Sequence, residues 1–166
     1  MRPARPVVWL DGAAQSTLEA EARSRLPLET GGLLLGYWAD DQAVVVEATT
    51  PGPEAGFALD RYVPDGRWDE MQVATVYERT GGLITYLGDW HSHPDGRRRL
   101  SALDRATIAS ISGDTSARAP RALMAIWTVA EPPCVSFWVA REMALSRRRL
   151  TAARTLTWPR SGAPST

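Results

Sequence analysis

The chain is predicted to fold as one α/β (α+β) layered domain, a mixed and mostly antiparallel sheet flanked by two or three helices. Three observations point there. Its 166 residues are the usual size of a single domain with one core. Hydrophobic residues make up 44% and charged residues 23%, the balance of a globular protein. Strand-length apolar runs, such as 31–38 and 122–130, are interspersed with segments of helical period.

Residues 7–10 read as a short strand. In 14–26, Ala14, Leu18, Ala22 and Leu26 recur every four residues, the step of an amphipathic helix, and Pro27 breaks it. The runs 31–38 and 43–49 read as buried strands of a hairpin turned at Ala39-Asp40-Asp41-Gln42. Two prolines and two glycines make 50–56 a loop, and 57–63 reads as a strand or part of a flap. Asp65 can cap a helix over 67–79 that Gly81-Gly82 ends. A strand over 83–91, a loop, a helix over 101–112 ending near Gly113, and strands over 121–130 and 134–141 turned by Glu131-Pro132-Pro133 follow. The domain proper is taken as 1–145. Residues 146–166 are read as a basic extension, marginally structured, helical or disordered, with 161–166 a frayed tail and Trp158 docking on the body of the domain.

Composition excludes several classes. With 19 basic and 19 acidic residues the net charge is zero, so neither a nucleic acid nor an anionic membrane is an expected partner. The longest apolar runs fall far short of the roughly 20 residues of a membrane span, and residues 1–12 lack the apolar core of a signal peptide. A single cysteine, Cys134, cannot form an internal disulfide, which fits a cytoplasmic protein and excludes a cysteine-rich zinc framework. All 19 basic residues are arginine. Two readings of that bias stand: a codon preference, or a chain that offers no ε-amine to an enzyme building isopeptide bonds.

The chemistry concentrates in Gly88-Asp-Trp-His91-Ser-His93-Pro and the stretch that follows, through Ser101 to Asp104. Residues i and i+2 of a strand point to one side, so the chain's only two imidazoles can converge on one ion. Two imidazoles and one carboxylate suit zinc and leave a position open for water, and Asp104 can supply the carboxylate. Ser101-Ala-Leu-Asp104 is equally a Ser-x-x-Asp helix start. The two roles are compatible, since a helix start fixes where Asp104 points. Glu29, just before the apolar run Gly31-Gly32-Leu33-Leu34-Leu35-Gly36, reads by itself as a solvated loop charge.

Taken together, Glu29 before a Gly-rich apolar strand, then His91-Ser92-His93-Pro94, seven residues to Ser101, and two more to Asp104, resemble the JAMM motif of the JAB/MPN+ metalloprotease family, element by element and in order. The order of helices and strands resembles that domain over roughly residues 5–142. The resemblance implies a JAB/MPN-like (cytidine-deaminase-like) fold and a zinc-dependent peptidase. His91, His93 and Asp104 would hold Zn2+ with its catalytic water, Glu29 would act as general base, and Ser101 would help stabilise the oxyanion. The Arg97-Arg98-Arg99 run lies outside the motif and reads as a solvated loop or a contact for an acidic partner.

The family also implies a substrate: a peptide or isopeptide bond after the C-terminal tail of a ubiquitin-like protein. This small domain resembles deconjugating peptidases that sit beside E1- and E2-like conjugation enzymes, including those of bacterial antiphage systems. A processing peptidase for sulfur-carrier-type small proteins and a catalytically silent scaffold are the alternatives. Residues 50–68 can act as a flap that adds a strand to an extended tail, with Glu54, Asp60 and Asp65 available to a basic residue in it. The oligomeric state is left open.

Overall fold

The computed structural model describes residues 5–129, 132, 134–143 and 147–158, with backbone alone at 141–143, 147–148 and 158. The elements run β1 (Val7–Asp11), α1 (Gly12–Arg25), β2 (Gly31–Ala39), β3 (Gln42–Ala48), β4 (Gly56–Phe57), β5 (Tyr62–Val63), α2 (Gly66–Arg79), β6 (Thr85–His93), α3 (Ala102–Gly113), β7 (Leu123–Thr128), β8 (Cys134–Met143), β9 (Arg147–Ala152) and β10 (Arg154–Trp158). Most of these follow the predicted boundaries to within a few residues. Of the predicted turn at Glu131-Pro132-Pro133, residues 131 and 133 lie outside the described residues, as does the tail 161–166.

Eight strands form one sheet in the order β10-β1-β3-β2-β6-β7-β8-β9, and β4 and β5 make a separate small hairpin. The sheet is mixed: β1 runs parallel to β3 and β10, β6 parallel to β7, and the remaining pairs are antiparallel. The central strand β2 is buried on both faces from Gly31 to Gly36, which is why it reads as an unbroken apolar run.

The helices divide between the two faces. On one face lies α1, started by the Asp11 carboxylate, which accepts from Ala13 N (2.7 Å) and Ala14 N (3.3 Å). Its Ala14, Leu18 and Ala22 pack against residues of β1, β3, β2, β6, β7 and β8 alike, so the sheet curls around this helix. On the outer face, α2 covers Leu33 and Leu35 of β2 through Val73 and Val76. Ile108 and Ile111 of α3 cover Met124 and Ile126 of β7. Between α2 and α3 the outer face of β6 is left open, and this opening becomes the cleft.

The segment 147–158 departs from expectation. It is neither helical nor a marginal extension: it is a pair of strands that completes the sheet. β9 pairs with β8 and β10 with β1, the two ends of the curled sheet. At the joint between them, buried Ala153 donates its N–H to the Phe137 carbonyl (2.8 Å), and Arg154 donates to the Pro6 carbonyl (2.8 Å). One bent segment thus ties both edges together and covers strand edges that would otherwise be exposed. The expected docking of the Trp158 side chain lies outside the described side chains.

Candidate metal centre

The cleft is built on an irregularity in β6. Leu34 of β2 pairs with Gly88 and Leu35 with Tyr86, so β6 carries one extra residue there. Gly88 absorbs it at φ 151°, and a Cβ at that position would sit 2.0 Å from the Leu123 carbonyl oxygen. The bulge resets the pleat: Leu87 and Trp90 face the α1 core, whereas Tyr86, Asp89, His91 and His93 share the outer face. After His93 the loop turns tightly, with Gly96 N–H donating to the His93 carbonyl (3.0 Å), and delivers Ser101 to the start of α3.

Ser101 and Asp104 form a reciprocal cap. Ser101 Oγ accepts from Asp104 N (3.1 Å), and Asp104 Oδ2 accepts from Ser101 N (2.5 Å). This holds the carboxylate over the strand end. His91 Nε2 lies 3.1 Å from Asp104 Oδ1, His93 Nε2 lies 3.5 Å from Asp104 Oδ2, and the two Nε2 atoms are 3.1 Å apart. The cap and the carboxylate ligand are therefore one arrangement, as the sequence permits.

Those separations test whether the residues fit a metal. Donors about 2.0–2.1 Å from a zinc ion in a tetrahedron stand about 3.3 Å from one another. The three observed separations bracket that value, and the three ligand atoms all lie within 4.8 Å of one another. The Arg97 carbonyl contacts His93 Nδ1 at 2.8 Å, which places the ring proton there and turns the Nε2 lone pair toward the cluster. His91, His93 and Asp104 can hold a metal ion.

Electrostatics agree. Burial alone would raise the Asp104 pKa, but hydrogen bonds from His91, His93 and Ser101 hold it far below the usual carboxylate range. Burial works against a charged His93, yet its contacts with Asp104 and the Arg97 carbonyl outweigh that and raise its pKa.

Glu29 lines the same cleft, 8% exposed. The reading of it as a solvated loop charge does not hold. Its N–H donates to the Ala58 carbonyl (2.7 Å), joining it to the β4–β5 flap. On the inner face of β6, Ser92 N donates to the Thr30 carbonyl (2.8 Å), and Thr30 N donates to Ser92 Oγ (3.0 Å). The serine between the histidines thus locks the residue after Glu29 to the metal strand. Burial raises the Glu29 pKa, partly offset by His91 and His93.

The flap expected over 50–68 is present, but its acids differ in role. Asp65 is occupied structurally, accepting from Glu54 N (3.0 Å) and Trp68 N (3.1 Å) as the cap of α2, while Asp60 lines the cleft. In the arginine run, Arg97 pairs with Asp95. Three cleft residues escaped sequence reasoning: Tyr62, Asp69 and Asp89. For Asp89 a signal existed, because it lies one strand period before His91.

The profile of the family described as "Prokaryotic homologs of the JAB domain" matches residues 13–147. The protein named "Probable metalloprotease y4qB" from Sinorhizobium fredii is 32% identical over 120 residues, 71% of this chain and 73% of that one. A "CD-NTase/cGAS isopeptidase" of Vibrio cholerae is 35% identical over 79 residues, but the match spans only 49% of that protein. The "26S proteasome regulatory subunit RPN11" of Encephalitozoon cuniculi is 29% identical over 64% of this chain and 36% of its own. The solution structure of protein DSY2949 from Desulfitobacterium hafniense superposes with a TM-score of 0.65 over 92% of this chain and 93% of that one, at 21% identity, a likeness of fold. With the motif, the fold and the family match in agreement, the chain belongs to the prokaryotic JAB-domain family and is a JAMM-type hydrolase.

Proposed function

We propose that the chain is a zinc-dependent peptidase that cleaves the peptide or isopeptide bond after the C-terminal tail of a ubiquitin-like protein. The observation that carries this reading is the convergence of His91 Nε2, His93 Nε2 and one Asp104 carboxylate in a cleft of about 450 Å³ that also receives Glu29. His91, His93 and Asp104 act as the ligands. Zinc, when bound there, supplies Lewis acidity, bringing the pKa of water from about 15.7 toward about 7.

The chain's own residues supply the rest. Glu29, buried and with its pKa raised by that burial, takes a proton from the attacking water and delivers it to the departing amine nitrogen as the C–N bond breaks. Ser101 already spends a lone pair on Asp104 N, which leaves its O–H free to donate to the oxyanion of the attacked carbonyl. The flap, bonded to Glu29 through Ala58, offers backbone to an extended tail.

Relatives named "CD-NTase/cGAS isopeptidase" favour deconjugation over precursor processing, and E1- and E2-like conjugation enzymes are the partners that such a role entails. Incubation with a fusion of a small Gly-Gly-ended protein encoded beside this chain tests the reading. Cleavage at the fusion junction, abolished by a chelator and restored by zinc, is expected. Intact fusion after prolonged incubation with the zinc-loaded protein overturns it.

A further inference from the structure

The cleft extends past the histidines into a polar hollow walled by Tyr62, Asp69 and Asp89, and none of these enters the chemistry above. Asp69, in the first turn of α2, is 8% exposed, yet its Oδ1 has no hydrogen-bond partner. The Tyr62 hydroxyl is also buried and unpartnered. Asp89 accepts from the Tyr86 hydroxyl (2.7 Å) through Oδ1 only. Among the described residues no arginine or histidine pairs with Asp69 or Asp89. Arg61, at the mouth of the cleft, is exposed and bonds to neither. A buried carboxylate without a counter-charge is costly, and chains do not ordinarily keep one unless something else fills the site.

We propose that this hollow is a specificity pocket for an arginine side chain of the substrate, within two residues of the scissile bond, with Tyr62, Asp69 and Asp89 as the groups that receive it. The inference rests on the reading that the cleft binds an extended polypeptide. It adds to that reading the chemistry of the residue beside the cut.

Three features select the occupant. The free atoms are acceptors: Asp69 Oδ1, Asp89 Oδ2 and the Tyr62 oxygen. A guanidinium carries five N–H donors and no acceptor, and its planar fork can bridge carboxylates on two different walls, which a compact ammonium does less well. Burial, with Asp89 and Asp65 nearby, pushes the Asp69 pKa up to about 6, the mark of a carboxylate short of positive charge. Position sets the register. Asp89 precedes His91 by two residues on one face of β6, about 7 Å along the strand. A substrate strand lying across the metal centre would therefore deliver into the hollow the side chain of a residue one or two positions from the cut bond.

The test uses the full chain with Glu29→Gln, zinc-loaded and again after chelation, so that neither turnover nor bound metal is needed for the readout. Fluorescein-labelled alanine hexapeptides with one arginine walked through successive positions are compared by anisotropy with the same peptides carrying neutral citrulline. At one position the arginine peptide is expected to bind about tenfold or more tightly, as charge-assisted hydrogen bonds dictate. That preference should vanish in Asp69→Asn and shrink in Asp89→Asn, with both variants shown folded by circular dichroism. Equal binding of arginine and citrulline peptides at every position, no binding of either, or a preference that persists in Asp69→Asn overturns the proposal. Because no cleavage is read, failure here leaves the peptidase assignment standing, and an inactive enzyme leaves the pocket standing.

Discussion

The two ends of the cleft handle buried charge in opposite ways. At the metal end, His91, His93 and Asp104 face one another across 3.1–3.5 Å, and each is braced by a second contact: Ser101 N–H on Asp104, the Arg97 carbonyl on His93. At the far end, Asp69 Oδ1 and the Tyr62 hydroxyl point into the hollow with nothing to bond. The first cluster is preorganised by its own scaffold, so an ion meets donors already in place. The second is a set of acceptors whose partner must arrive with the substrate. One strand, β6, carries residues of both, which couples the place where the bond breaks to the place where a neighbouring side chain is read.

That contrast can be broken most forcefully at the metal end. His93→Ala or Asp104→Ala should each reduce bound zinc from one per chain to near none by elemental analysis and abolish cleavage. Stoichiometric zinc in either variant would remove that residue from the ligand set. Glu29→Gln separates binding from proton transfer: zinc and fold should persist while turnover falls by roughly 10²–10⁴-fold. Turnover at the normal level would dismiss Glu29 from the mechanism.

The far end should respond in stability rather than chemistry. Burial, then Asp89 and Asp65, lifts the Asp69 pKa from 3.8 to about 6. The folded value lies above the unfolded one, so the folded state holds the proton more tightly. The stabilisation this gives is complete below about pH 4 and is lost as pH rises through about 6. At neutral pH the ionised Asp69 therefore costs on the order of 2 kcal/mol. Asp69→Asn should be more stable than the parent at pH 7.5 by about that amount, the gap closing toward pH 4 in urea unfolding followed by circular dichroism. A gap independent of pH contradicts the account of this carboxylate. Smallest of all, Tyr62→Phe removes a buried hydroxyl that lacks a partner, so its melting temperature should stay level or rise slightly, within about 1 kcal/mol. A marked fall would mean that the hydroxyl has a partner within the free protein.

The same division marks what could be read from sequence. Helix caps at Asp65 and Ser101, the four-residue apolar step of α1 and the buried run of β2 are local signals, and each locates its element. The metal trio was legible because its spacing is itself local: two residues on a strand, then a loop and a capped carboxylate. Glu29 needed the resemblance, since nothing around it in the chain says that Ser92 and Ala58 will draw it into the cleft. The hollow joins residues 62, 69 and 89 from three separate elements, and no periodicity links them. The segment 147–158 misled for a related reason. Arg147-Arg148-Arg149 followed by threonines looks like a solvated tail, and its strand character comes from β8 and β1, partners distant in sequence from at least one half of it.

Zinc K-edge X-ray absorption on the zinc-loaded full chain tests the central claim most directly. The account predicts a four-coordinate ion with two imidazole shells near 2.0 Å, the remaining donors oxygen, and one imidazole shell lost in His93→Ala. A sulfur donor from Cys134, or a coordination shell that His93→Ala leaves unchanged, would contradict it.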